Sequence, residues 1–459
     1  MSFYTAICSH FLFPLHERIK GHDSVRLCRR LEESQWWTSE QIAGEQARRL
    51  RDFLVDIGQR VPYYRDLFGR LGFDPRSVRT PEDLSALPLL GKAEIRANGE
   101  RFKAAGHGPL TRYNTGGSSG EPLIFYMGKG RKSHDVAAKW RATRWWGVDI
   151  GDRELVVWGS PIELGTQDYV RRLRDWLLRS RLLPAFEMSP ANLDRFVETI
   201  RVARPAMLFG YPSSLSLIAR HARHSGVALD DLGIRVAFVT SEKLYDEQRS
   251  VIGEVFGCPV ANGYGARDAG FIAHQCPAGS MHISAEDIVV ETVDASGRPT
   301  ACGQPGEIVV THLATADFPF VRYRTGDIGT LSDKTCSCGR GLPVLEEVQG
   351  RTTDFVVARD GTVMHGLALI YTLRDLPGVE RFRIEQTSID QTIVQVVAGA
   401  AFDGAAEERI IRDFKARLGD AVDVRVEKVA DIACETSGKF RYVVSRVPAL
   451  GAGLGCEHG

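Results

Sequence analysis

Ala206-Met207-Leu208-Phe209-Gly210-Tyr211-Pro212 is a short apolar run that stops at a glycine, a tyrosine and a proline. A helical pattern follows over 214–224, then a second apolar run over 234–239 that ends in Thr240-Ser241-Glu242. Another helical stretch covers 246–256. A third run, 259–261, ends in Asn262-Gly263-Tyr264-Gly265. Upstream, 154–158 reads as a strand ending at Trp158, and 193–204 as a helix. Short apolar strands separated by helices of about ten residues predict βαβ units and a parallel sheet. In such sheets ligands bind outside the carboxyl ends of the strands. The three strand-to-loop junctions above are therefore candidate site segments.

North of this core lies a polar loop, Thr115-Gly116-Gly117-Ser118-Ser119-Gly120, between Tyr113 and a β-like run over 123–127. Glycines let backbone approach a phosphate closely. Successive N–H groups in such turns form an anion nest, and the hydroxyls add donors. The same composition also suits an ordinary polar turn. No Gly-Lys-Ser/Thr follows, which excludes a Walker A loop, and no helix pattern follows, which excludes a dinucleotide fingerprint. A strand–loop–strand phosphate loop is left.

Around this centre the chain divides. Residues 1–90 read as mainly helical and belong to a large domain, 1–349. Its part from 283 to 330 is β-rich, a meander or a small distorted barrel. From 350 to 447 the order is strand, helix, strand, strand, helix, strand, which suits a small α+β domain. Residues 448–459 are a Gly-rich tail. The fold class is thus α/β, with a β-rich subdomain and a small mobile C-terminal α+β domain.

Composition limits the partners. Lys+Arg and Asp+Glu balance at 58 each, which gives no reason to expect nucleic-acid binding. No apolar run reaches the ~18 residues needed to cross a bilayer. Nine cysteines, irregularly spaced, argue against a disulfide framework and for the cytoplasm. Trp36-Trp37 makes a homodimer contact conceivable.

Five signals then occur in order: the Thr115–Gly120 loop, Tyr264-Gly265-Ala266-Arg267-Asp268, Tyr323-Arg324-Thr325-Gly326-Asp327, Gly350-Arg351-Thr352-Thr353-Asp354, and Thr436-Ser437-Gly438-Lys439. The series resembles the adenylate-forming superfamily of acyl-CoA synthetases, and within it the CapK-like proteins of the phenylacetate–CoA ligase branch. The resemblance spans roughly residues 30 to 447. It implies an ATP- and Mg²⁺-dependent ligase that activates a small carboxylic acid, which an aromatic pocket would suit, as acyl-AMP. CoA would then accept the acyl group. An amine, a sugar or a carrier-protein thiol is an alternative acceptor, and a degenerate nucleotide-binding protein is an alternative reading of the whole.

The roles follow the same resemblance. Thr115, Gly116, Gly117, Ser118, Ser119 and Gly120 hold phosphates. Ser241, Glu242, Asn262, Gly263, Tyr264 and Gly265 line the adenine pocket, Asp327 takes the ribose, and Arg351 contacts the nucleotide near the hinge. Asp268 stands where the family usually has a Mg²⁺-binding glutamate, and Lys439 is the catalytic lysine. Tyr211, Pro212 and Trp158 are placed at the acyl pocket. Leu123 departs from the lysine that many members carry after the loop proline, and Thr353 from a common hinge aspartate. Finally, Cys276, His282, Cys336 and Cys338 offer three thiolates and an imidazole, enough for a structural Zn²⁺ site. The alternative is four unrelated reduced side chains; His274 and Cys302 are spare candidates.

Overall fold

The structure is a computed structural model that describes residues 2–115, 123–158, 169–184, 190–351, 355–360, 363–365, 367–374, 376–432 and 442–447. The chain separates into two compact units: Met1–Thr325 with Gly329–Val348, and Gly326–Ile328 with Gln349–Gly459.

The strands of the first unit, in chain order, are β1 (Thr111–Asn114), β2 (Ile124–Met127), β3 (Glu154–Trp158), β4 (Ser180–Pro184), β5 (Met207–Gly210), β6 (Val236–Thr240), β7 (Val260–Ala266), β8 (Gly270–Gln275), β9 (Met281–Ile283), β10 (Ile288–Val293) and β11 (Pro305–His312), followed by β12 (Tyr323–Ser332) and β13 (Val344–Arg351), which run into the second. β1 and β2 form an antiparallel hairpin. The other eleven make one sheet, ordered β10-β11-β12-β13-β9-β8-β7-β6-β5-β3-β4. Neighbours from β4 to β7 are parallel, and β8 turns back antiparallel on β7.

The expected parallel core is present, and its chemistry is visible in its burial. Every residue of β5 and β6 is buried, as strands covered on both faces must be. Helices Pro190–Ala203, Pro212–His224 and Asp246–Phe256 supply Phe196, Ile200, Leu215, Ile218, Ile252 and Phe256 to one core with Leu208 and Val239. Each such side chain contributes roughly 1.5–3 kcal/mol by leaving water. A second core joins the helix Ser39–Arg60 to the antiparallel half, through Leu50, Leu54 and Ile57 against Ile288 and Ile308.

The β-rich section follows the meander alternative and not the barrel: β10 pairs antiparallel with β11, and its strands extend the parallel sheet edge to edge, so one sheet carries both halves. The helix Lys129–Arg144 was not anticipated. It lacks an apolar stripe because it is buried with its charges, including Arg131, His134 and Arg141. Arg141 is 1 % exposed and pairs with Glu286 at 2.5 Å, so burial and polarity coexist there.

The second unit holds a hairpin, β14 (Phe355–Val357) with β15 (Val363–His365), and a four-stranded sheet. In that sheet β16 (Val379–Ser388) pairs antiparallel with β17 (Gln391–Ala398). β18 (Asp423–Lys428) joins β17 and β19 (Val443–Ser445) joins β16, both parallel. Helix Gly404–Leu418 starts at Asp403, whose carboxylate accepts from the Ala406 N–H at 2.9 Å. It buries Ala406, Ile410, Phe414 and Leu418, the four-residue spacing of one helical face. With the helix Leu367–Arg374 between β15 and β16, the order expected after residue 350 is present, and two strands are added to it: β15, which pairs back on β14, and β19, which joins β16.

Candidate active site

The three strand-to-loop junctions lie side by side because β5, β6 and β7 are neighbours in register. At the end of β6, Ser241 takes φ 72°, a left-handed conformation that costs energy in a residue with a Cβ. Next to it, Glu242 accepts from the Ser213 N–H at 3.2 Å, at the first turn of the helix Pro212–His224. A carboxylate there is favoured by the helix dipole. At β5, Tyr211 is buried and stacks on Trp158 with ring centroids 4.3 Å apart. Pro212 begins the helix. The three residues assigned to an acyl pocket are therefore adjacent, as a packed aromatic pair and a helix start.

β7 carries the central motif. Asn262 donates its N–H to the Gln275 side chain at 3.0 Å. Gly263 pairs with His274 across the hairpin, and Gly265 with Phe271. A Cβ on Gly265 would lie 2.3 Å from the Gly270 carbonyl oxygen, so only glycine permits this close return of β8. Tyr264 is half-buried, with its hydroxyl 3.4 Å from the Thr325 Oγ1. Asp268 is buried and accepts the Tyr323 hydroxyl at 2.5 Å. It lines a small cavity with Arg131, Thr315, Asp317 and Phe320. Two motifs thus meet through two tyrosine hydroxyls, in bonds that span 61 and 55 residues.

At the phosphate loop, Thr115 donates its N–H to the Leu123 carbonyl at 3.0 Å, and its Oγ1 accepts the Leu123 N–H at 2.9 Å. These bonds close the neck of the loop. Gly116, Gly117, Ser118, Ser119 and Gly120 lie outside the described residues, as does Lys439. In the second unit, Asp327 is half-buried in β12, and Arg351 ends β13.

The cysteine–histidine set comes together. The ligand atoms of Cys276, His282, Cys336 and Cys338 all lie within 4.8 Å of one another. The Cys276 and Cys336 sulfurs are 3.6 Å apart, and Cys338 Sγ is 3.2 Å from His282 Nε2. His282 Nδ1 is 3.1 Å from the Leu342 carbonyl. With Nδ1 donating there, Nε2 keeps its lone pair for a metal. Burial works against a Cys336 thiolate, but hydrogen bonds from Ser280, Cys338 and Cys276 outweigh it and bring the thiol down to about 7. The donor set and spacing fit tetrahedral Zn²⁺. Neither spare candidate belongs to this set: His274 is buried between Phe238 and Phe271, and Cys302 is exposed.

Sequence reasoning missed a second polar cluster: His134, Asp135 and His312 beneath the β7–β8 turn. Its signal was hidden with the helix that carries two of its members. Arg131 Nε donates to both Asp135 oxygens at 3.0 and 2.9 Å. Burial would raise the Asp135 carboxyl, but Arg131 and the two imidazoles hold it well below the ordinary carboxylate range. His312 Nδ1 accepts the Ala314 N–H at 3.2 Å, so its Nε2 carries the proton and points no lone pair at a cation. Unlike the cysteine set, this one suits support of the turn and not metal binding. Arg131 Nη2 also donates to the Arg267 carbonyl at 3.3 Å.

Comparison with known proteins agrees with this geometry. Residues 356–446 match the model of the CapK C-terminal domain. The chain is 24% identical over 418 residues to protein CapK of Staphylococcus aureus, covering 88% of this chain and 89% of that one. It is 25% identical over 332 residues to a phenylacetate–coenzyme A ligase of Thermus thermophilus, covering 70% and 72%. Its fold is that of 2-hydroxyisobutyryl-CoA ligase in the postadenylation state in complex with R3-HIB-AMP, with a TM-score of 0.71 and 21% identity over 87% of this chain and 88% of that one. Domain match, near full-length relatives, shared fold and ordered motifs point the same way: the chain is similar to protein CapK and to phenylacetate–coenzyme A ligases, and its residues 356–446 match the CapK C-terminal domain.

Proposed function

We propose that the chain is an ATP-dependent acid–thiol ligase that converts a carboxylic acid to its acyl-adenylate and passes the acyl group to CoA. One observation carries this reading: the Tyr264–Asp268 and Tyr323–Asp327 motifs are joined by the Tyr323–Asp268 and Tyr264–Thr325 hydrogen bonds. That contact sets an aromatic face and a carboxylate at the carboxyl end of the parallel sheet, where nucleotides bind. Relatives that are phenylacetate–coenzyme A ligases support it, as do neighbours solved with acyl-AMP and CoA.

Two anions meet in this reaction, so the site must neutralise charge and align the groups. Asp268 would hold Mg²⁺, which uses one or two carboxylates plus phosphate oxygens. Mg²⁺ would offset the phosphate charge. Tyr264 would face the adenine and Asp327 would accept from the ribose hydroxyls. Lys439 would reach the α-phosphate, and the small domain would then turn near Arg351 for the thioester step. The stacked Trp158–Tyr211 pair favours an aryl or arylacetic acid. The Cys276–His282–Cys336–Cys338 set would hold a structural Zn²⁺ and pin β9 to the segment around Cys338.

A cytoplasmic location rests on the seven described cysteines all being free. Among the described residues no helix is long and apolar enough to cross a membrane. A homodimer contact would form at Trp36-Trp37, where Trp36 is 55 % exposed and Trp37 partly buried; light scattering on the purified protein tests it. Acid-dependent pyrophosphate release, with a panel of carboxylates and with or without CoA, tests the function. Adenylation that ignores CoA would move the acceptor to an amine, a sugar or a carrier-protein thiol. ATP binding without turnover of any acid would sink the ligase reading. Lys439→Ala is expected to lower adenylation at least ~100-fold, the scale of removing one aligned transition-state charge.

A further inference from the structure

The loop lysine that many members of the superfamily carry, and that the phenylacetate branch also tends to lack, is here Leu123, which is fully buried and bonded backbone-to-side-chain with Thr115. A loop that receives β- and γ-phosphates without a cation would leave the leaving-group charge to Mg²⁺ and backbone N–H groups. The structure offers a cation from another element. Arg267 sits on the turn between β7 and β8, and its Nη1 donates to the Asn114 carbonyl at 3.4 Å. Asn114 is the last residue of β1, directly before Thr115. The guanidinium therefore stands at the neck of the phosphate loop.

Its backbone is fixed from beneath. Arg131, 4 % exposed, donates to the Arg267 carbonyl at 3.3 Å and is itself clamped on Asp135 at 2.9 Å. Arg267 is half-exposed, and it directly precedes the buried Asp268. One turn thus presents a cation and a carboxylate in succession, the pair of charges that a magnesium–polyphosphate complex requires. Guanidinium also matches phosphate oxygens bidentately, which lysine does not.

We propose that Arg267 is a binding residue for the β- and γ-phosphates of ATP and for the pyrophosphate that leaves, in place of the missing loop lysine. During adenylation a carboxylate oxygen bonds to the α-phosphorus, and the bond from that phosphorus to the bridging oxygen breaks. The electron pair stays on pyrophosphate, beside the Arg267 charge; no proton moves in this step. The inference rests on the adenylation reading.

Calorimetric titration of the full chain with Mg²⁺-pyrophosphate, Mg²⁺-ATP and AMP tests it. Arg267→Gln is the main variant, because its amide can still donate to the Asn114 carbonyl while the charge is lost. Arg267→Lys restores the charge, and Arg267→Ala removes both. The expected result is a loss of roughly 10- to 100-fold in affinity for pyrophosphate and ATP in the Gln and Ala variants, the worth of one charge-assisted contact. AMP, which lacks the β- and γ-phosphates, should change less than about twofold, and Lys should recover part of the loss. Unchanged pyrophosphate affinity in Arg267→Gln overturns the proposal. So does an equal loss for AMP and pyrophosphate, which marks a structural latch. If the wild-type chain binds neither ATP nor AMP, the adenylation reading itself fails, and this proposal with it.

Discussion

The Tyr323 hydroxyl donates to the Asp268 carboxylate at 2.5 Å, both groups buried. The bond fixes the acid assigned to Mg²⁺ from a strand that returns after a long excursion. Tyr323→Phe keeps the ring in its stack on Phe320 and removes only this donor. Half-saturating Mg²⁺ in the pyrophosphate-release assay should rise roughly 10-fold, the equivalent of about 1.4 kcal/mol. Asp268→Asn should abolish metal-dependent turnover, and Asp268→Glu should retain part of it. A Tyr323→Phe variant with unchanged Mg²⁺ dependence would show that the bond only packs the core.

What could be read from the chain and what could not divide along physical lines. β5, β6 and their helices announced themselves because they bury apolar side chains with regular spacing, and 246–256 agrees end to end with Asp246–Phe256. The small domain was readable for the same reason, except for β15 and β19, three-residue strands too short to show a period. Lys129–Arg144 was not, because its interior face holds Arg131, His134 and Arg141, which periodicity scores as solvent-facing. β4 was missed too: Ser180-Arg181-Leu182-Leu183-Pro184 is an edge strand with one buried residue. At the site, motif positions could be named from sequence, but their partners could not. That Tyr323 reaches Asp268, or Arg267 reaches Asn114, depends on sheet order, which no local pattern encodes.

Gly265 is required by contact and not by φ. Gly265→Ala would push a Cβ to 2.3 Å from the Gly270 carbonyl and force β7 and β8 apart. The expected cost is about 1–3 kcal/mol, as for other overpacked sites, together with a marked fall in ATP affinity. Gly69→Ala, with nothing within 4 Å of its Cβ, should leave stability unchanged or slightly improved. Urea denaturation of the two variants side by side separates the close approach from a general glycine effect.

The zinc assignment makes a direct compositional prediction. Protein purified without chelator should carry one Zn²⁺ per chain by mass spectrometry of the metal. Cys338→Ser should lose it, since its sulfur faces His282 Nε2 at 3.2 Å. Loss of a structural zinc removes several kcal/mol of folding energy, so a chelator should lower the thermal midpoint by about 5 °C or more. Cys302→Ser, at an exposed thiol outside the set, serves as the unaffected control. A metal-free wild-type protein with an unchanged midpoint would remove the assignment.

Acid stability should depend on buried imidazoles. His274 is pushed down to about 3, first by burial and then by the Arg141 charge, and His312 to about 3 by burial and then by Arg131. In the unfolded chain both would titrate near ~6.5. Between these values the unfolded state binds the extra protons, so stability falls as pH drops from 6.5 towards 3. Each residue adds about 1.4 kcal/mol per pH unit to that slope. His274→Phe, which can keep the stack on Phe271 at 5.6 Å, should therefore lose about 1.4 kcal/mol less per pH unit than the wild type. Urea midpoints at pH 7, 6 and 5 measure this, and equal slopes in the two proteins would show that His274 folds protonated.

The helix Lys129–Arg144 buries a charge in its interior, Arg141. Arg141 donates to the Leu31 carbonyl at 3.2 Å and to Ser284 at 3.3 Å, and its ion pair with Glu286 is almost fully enclosed. Ser34 donates to the same Glu286 oxygen at 2.8 Å. Removing one partner strands the other in a medium that solvates it poorly. Glu286→Ala should cost about 3–5 kcal/mol, whereas the double variant Arg141→Met with Glu286→Leu should recover most of that loss. Denaturant unfolding of the single and double variants gives the coupling. If Glu286→Ala costs less than about 1 kcal/mol, the pair behaves as a solvated surface bridge, and the buried-charge account of this helix is wrong.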